Sequence, residues 1–96
     1  MSPINIKKLN KLRKKLDSLD NKLLRLIKIR TGLVTNVLKL KIYKKEIVDK
    51  KRIKKILNNI RKKSIKQKID PKITNRIWKN MILSYIDFEK RNFKKK

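Results

Sequence analysis

Residues 9–41 read LNKLRKKLDSLDNKLLRLIKIRTGLVTNVLKLK. Leu9, Leu12, Leu16, Leu19, Leu23, Leu26, Leu33, Val37 and Leu40 recur at alternating steps of three and four, and Arg30 stands where the next apolar residue would fall. That alternation is the seam of one long packed helix. A cation in such a seam faces a helical core, where an unpaired charge is costly. The chain has 7 acidic residues against 32 basic ones, so few internal carboxylates can meet Arg30. We read it as a place for a bound anion.

The rest of the chain also reads as helical. It has one glycine, two prolines and no alternating strand pattern. Ser2-Pro3 is an N-cap followed by proline at the first helical position, so the first helix is expected to run to about Lys41. At 1.5 Å per residue such a helix exceeds about 50 Å, too long to bury its seam on two short partners. A second copy of the chain is the natural cover. Ile42–Val48 breaks the heptad and is expected to be a loop. Asp49 is a good N-cap for a second helix with an apolar face of Ile53, Ile56, Leu57 and Ile60, fading in the polar run Lys62–Lys68. Asp70-Pro71 repeats the cap-and-proline signal and opens a third helix, whose stripe is Ile73, Ile77, Trp78, Met81, Ile82, Tyr85 and Glu89. The tail Lys94–Lys96 is expected to fray. The reading is all-α, three helices in one free-standing domain, residues 1–96.

Composition narrows the chemistry. There is no cysteine and no histidine, so thiolate chemistry, disulfides and the commonest general base and zinc ligand are unavailable. No stretch is apolar enough to span a membrane, and the start MSPINIKKLNK lacks the apolar run of a signal peptide, so a cytoplasmic location is expected. The formal charge of +25 invites a nucleic-acid reading. The arginines are only Arg13, Arg25, Arg30, Arg52, Arg61, Arg76 and Arg91, and the lysines are scattered along the whole chain. With alanine absent and Ile, Lys and Asn abundant, most lysines read as a solvated face. Their field would still steer anions to the protein.

On a helical cylinder, Arg30 and Lys41 differ by about 20° in rotation and roughly 16 Å in rise, so they share a face. Arg13 lies about 100° away from Arg30 and roughly 25 Å along the axis. It is either a surface arginine or a residue supplied to the equivalent pocket of a symmetry mate. Glu89, an acid on an apolar stripe, is either salt-bridged to one of the many lysines or a carboxyl facing the pocket of Arg30 and Lys41. Arg52 borders the apolar face of the second helix.

LRKKLDSLDNKLLRLIKIR (12–30), the lysine eleven residues later, IVDKKRIKKIL (47–57) and IDPKITNRIWKNMILSYIDFE (69–89) together resemble the all-helical chorismate mutases, over nearly the whole chain. The resemblance implies an intertwined homodimer of three-helix subunits acting on a small dianion. It implies that Arg30 clamps one carboxylate from its own chain and Arg13 the other in trans. Lys41 would donate to the ether oxygen, with Arg52, Asp49 and Tyr85 as further pocket residues. The reaction is a pericyclic rearrangement that uses no nucleophile, metal or cofactor. The enzyme holds a compact conformer and stabilises charge developing on the ether oxygen.

Two positions depart from the better-known bacterial pattern. Ile53 stands where that pattern has the glutamate that receives the ring hydroxyl, and Asp49 lies close enough in sequence to compensate. Glu89 stands where it has glutamine, as in fungal members, and a carboxyl donates a hydrogen bond only when protonated. Burial would raise the pKa of Glu89, whereas Lys41 and the net charge would lower it. The pairs Arg52-Ile53 and Tyr85-Ile86 are similar to the sister isochorismate-pyruvate lyases, although those carry glutamine at the position of Glu89. The mutase is preferred, the lyase is the first alternative, and a basic helical nucleic-acid-binding protein is the second. The last lacks any recognised motif and has few aromatic residues for stacking.

Overall fold

In the computed structural model, which describes residues 1–94, each expected helix start is made by its expected cap. The Ser2 hydroxyl accepts from the Asn5 N–H at 3.1 Å, and α1 runs Pro3–Leu40. The Asp49 carboxylate accepts from the Arg52 N–H at 3.0 Å and opens α2, Lys50–Lys66. Asp70 accepts from the Lys72 N–H at 2.9 Å, and Pro71 begins α3, Pro71–Asn92. The described residues are all-helical, as expected, and none of their helices is long and apolar enough to cross a membrane.

Two compact units make up the chain. The first, Met1–Leu33, is a run of α1 alone. Its leucine seam is largely open: Leu12, Leu16, Leu19, Leu23 and Leu26 each expose more than half of their surface. The second unit begins at Val34 and holds the last turns of α1, a short 3-10 turn, α2 and α3. Its most buried residues are Leu38, Ile47, Ser64 and Glu89. The apolar residues Ile53, Ile56, Leu57 and Ile60 of α2 are partly covered, as are Trp78, Met81, Ile82 and Tyr85 of α3. Ile73 and Ile77, at the start of the expected stripe, stay about half exposed.

Two local details differ from expectation. The 42–48 segment is not wholly irregular, because Lys44–Ile47 forms the 3-10 turn. The second helix does not fade but ends abruptly, whereas α1 ends where expected, at Leu40, with Lys41 just past it. The Lys68 N–H bonds the Ile65 carbonyl at 3.1 Å and the Ile69 N–H bonds the Ser64 carbonyl at 2.9 Å, the two bonds of a Schellman closure. Lys68 takes the left-handed conformation at φ 59, a place usually filled by glycine. Lys94 lies past α3 and is exposed; the rest of the tail expected to fray falls outside the described residues.

α2 packs on α3 through a polar pin that the apolar periodicity hides. Ser64 is buried, and its hydroxyl lies 2.6 Å from the Ile60 carbonyl and 2.7 Å from the Thr74 hydroxyl. With the Ser64 proton on Ile60, Thr74 donates to Ser64, and its 3.4 Å approach to the Pro71 carbonyl is secondary. Ser64→Ala leaves the Thr74 hydroxyl without that acceptor, so a thermal melt should report a loss of about 1–2 kcal/mol. An unshifted melting temperature would mean that water replaces the lost partner.

Candidate active site

The second unit brings two of the expected site residues into contact. Lys41 Nζ donates to Glu89 Oε1 at 3.1 Å. The side chains are 18% and 8% exposed, so this ion pair is largely removed from water. A second ion pair, Arg91 to Asp87 at 2.8 Å, is open to solvent on both sides and contributes little. Glu89 is thus salt-bridged to a lysine, and that lysine is the one the sequence singled out. The salt-bridge reading of the acidic residue is the one this contact realises.

Lys41 comes to this place because the chain turns where α1 ends. The Lys41 N–H closes on the Leu38 carbonyl at 3.1 Å, and Leu38 itself is buried. The next two N–H groups, of Ile42 and Tyr43, leave the helical ladder and donate to Glu46 Oε2 at 2.7 and 3.0 Å. Ile47, 4% exposed, anchors the turn, which packs on α3. Glu89 arrives on the buried face of α3, one turn after Tyr85. The Tyr85 ring meets Phe88 edge-to-face with centroids 6.4 Å apart.

Asp49 and Arg52 are joined through the cap of α2. One Asp49 oxygen accepts the Arg52 N–H, which leaves the Arg52 guanidinium exposed. Ile53, beside it, is partly covered. Arg13 and Arg30 lie on the first unit. Arg13 is exposed, and Arg30 is partly covered.

Acidic residues are scarce, and every one in the second unit has a defined partner. Asp49 and Asp70 cap helices, Glu46 holds the turn, Asp87 pairs with Arg91 and Glu89 pairs with Lys41. Sequence reasoning missed Glu46, although an acid three residues after Tyr43 and within KIYKKEI carries the spacing of a capping box. The N–H groups of Tyr43 and then Ile42 hold its carboxyl below the usual carboxylate range, aided by Lys45 and Lys41. Its contribution to the turn is therefore present above the unfolded pKa and is lost as pH falls through the lower folded value.

What this site can do follows from its donors. A lysine amine backed by a buried carboxyl can donate to an oxygen that gains negative charge, and it can do so in a partly water-excluded place where such a contact is strong.

Comparison with curated proteins and with solved structures gives no match. The sequence model of one protein family, chorismate mutase type II, matches residues 12–90. The matched span includes Arg13, Arg30, Lys41, Asp49, Arg52, Tyr85 and Glu89. The chain therefore belongs to the chorismate mutase type II family, a family of isomerases.

Proposed function

We propose that the chain acts as a single catalytic domain that rearranges chorismate to prephenate, a cytoplasmic step toward phenylalanine and tyrosine. The observation that carries this reading is the Lys41–Glu89 pair: a cation poised for an ether oxygen, beside a second group able to donate to the same atom when protonated. Arg30 and Arg13 bind the two carboxylates of the substrate and favour the compact conformer in which the ends of the breaking and forming bonds approach. As the C–O bond lengthens, charge grows on the ether oxygen, and Lys41 stabilises it. Glu89, ionised while it pairs with Lys41, takes up a proton once the Lys41 amine turns to the substrate and then adds a second donor to that oxygen. Arg52, Asp49 and Tyr85 complete the pocket, and Asp49 takes over the recognition of the ring hydroxyl where Ile53 replaces glutamate.

The working form in this proposal is a homodimer with Arg13 supplied in trans. The open leucine seam of the first unit supports it. A contiguous apolar stripe of this extent marks an interaction surface, and covering half of a leucine side chain contributes roughly 1 kcal/mol.

The test is depletion of chorismate by the purified protein across about pH 5 to 8, with prephenate as the expected product and an acid-favoured rate that Glu89→Gln flattens. A flat profile unchanged in Glu89→Gln would overturn the acid role of Glu89. Partly covered Ile53 favours one other reading, an isochorismate-pyruvate lyase. Pyruvate and salicylate from isochorismate, with chorismate untouched, would establish it.

A further inference from the structure

We propose that Glu46 is a positioning residue for Lys41. It fixes the backbone immediately after Lys41 and so sets the reach of the Lys41 amine to the reacting oxygen. The proposal rests on the reading of Lys41 given above.

The argument starts from what the segment lacks. Between Lys41 and Asp49 the chain reads IYKKEIV, with no glycine or proline to fix a turn. The two β-branched residues at its end, Ile47 and Val48, favour extended backbone. Two lysines in the middle repel each other. Nothing in this composition specifies where α1 should stop, because Ile42 and Tyr43 could donate to the Leu38 and Lys39 carbonyls and continue the helix.

Glu46 decides the matter by taking both N–H groups with one oxygen, at 2.7 and 3.0 Å. Its own N–H closes on the Tyr43 carbonyl at 3.0 Å, so side chain and backbone lock the same turn. Ile47, the next residue, is driven into the interior at 4% exposure. The turn is thereby pinned at both ends. The Lys45 amine, 5.5 Å from the centroid of the Tyr43 ring, covers its outer side.

One residue before the pinned N–H groups is Lys41. Were α1 to run on by even a few residues, Lys41 would rotate with the helix and its amine would leave Glu89. The Glu46 carboxylate binds the backbone after Lys41 and also feels the Lys41 charge; Glu46→Gln keeps the first contact and removes the second, so it isolates the backbone route. A misplacement of about 1 Å is enough to cost up to 10²-fold in rate.

The test is a double-mutant cycle of kcat on chorismate. Glu46→Ala should lower kcat about ten-fold or more with a much smaller change in KM. Glu46→Gln, which keeps an oxygen for the same two N–H groups, should restore most of the rate. In a Lys41→Ala background, Glu46→Ala should cost no further kcat, because the residue it positions is gone. Circular dichroism confirms folding; if Glu46→Ala does not fold, Glu46→Asp, one methylene short, carries the same cycle. Additive losses in the cycle, or a wild-type kcat in the folded Ala or Asp variant, overturn the positioning role while the mutase reading stands. A Lys41→Ala protein as fast as wild type overturns the Lys41 reading, and the positioning proposal falls with it.

Discussion

On the proposed mechanism, Lys41→Met should lower kcat for chorismate rearrangement by about 10²–10³-fold, the loss typical of removing one donor aimed at a developing oxyanion. The same substitution should destabilise the fold, and the two effects have separate causes. Glu89 is 6% exposed, and without Lys41 its carboxylate is a buried charge with no counter-ion. Breaking such a pair from one side costs about 3–5 kcal/mol. Adding Glu89→Gln removes the stranded charge, so the Lys41→Met/Glu89→Gln protein should melt close to wild type. It should not regain rate, because the donor to the ether oxygen is still missing. Thermal melts and kcat on the three proteins check this. Stability and rate recovering together would mean that Lys41 serves only the fold.

How far this pair was readable in the sequence depends on the residue. Glu89 was legible as an anomaly, because an acid on an apolar stripe demands a partner. Lys41 was legible from Arg30, through the periodicity of α1 and the resemblance that this spacing carries. What periodicity could not give is that Lys41 lies past the helix end, since the stop is made by a side chain five residues further on. Glu46 belongs to neither a heptad nor an apolar stripe, and a lone acid among lysines reads as a surface residue. Ser64 was hidden for the same reason: it sits in the polar run KKSIK, and only its burial against Thr74 shows that it faces inward. The caps were the easiest part. Ser2, Asp49 and Asp70 each stand directly before a helix, and each makes the bond that its position implies. The end of α2 was the hardest, because Lys68 occupies a conformation that sequence rules assign to glycine.

Arg13 is the residue on which the fold is silent and for which the proposed assembly makes the largest claim. It is exposed, with nothing in its surroundings that distinguishes it from the lysines on either side. If it clamps a carboxylate in the partner's pocket, Arg13→Ala and Arg30→Ala should be equally crippling, each removing one charge-assisted clamp worth about 2–5 kcal/mol. That corresponds to a loss of roughly 30- to several-thousand-fold in kcat/KM. The decisive result comes from mixing the two inactive proteins. In either mutant homodimer both pockets lack an arginine. In a heterodimer one pocket lacks both and the other has a native Arg30 from one chain and a native Arg13 from its partner. Refolding an equal mixture should therefore restore about one quarter of the wild-type activity, since half the dimers are mixed and each carries one intact pocket of two. Recovery on mixing cannot arise if both arginines act within one chain. Absence of recovery, with heterodimers demonstrated by differently tagged chains, would mean that Arg13 acts within its own subunit, whereas an Arg13→Ala protein as active as wild type would return Arg13 to the solvated surface.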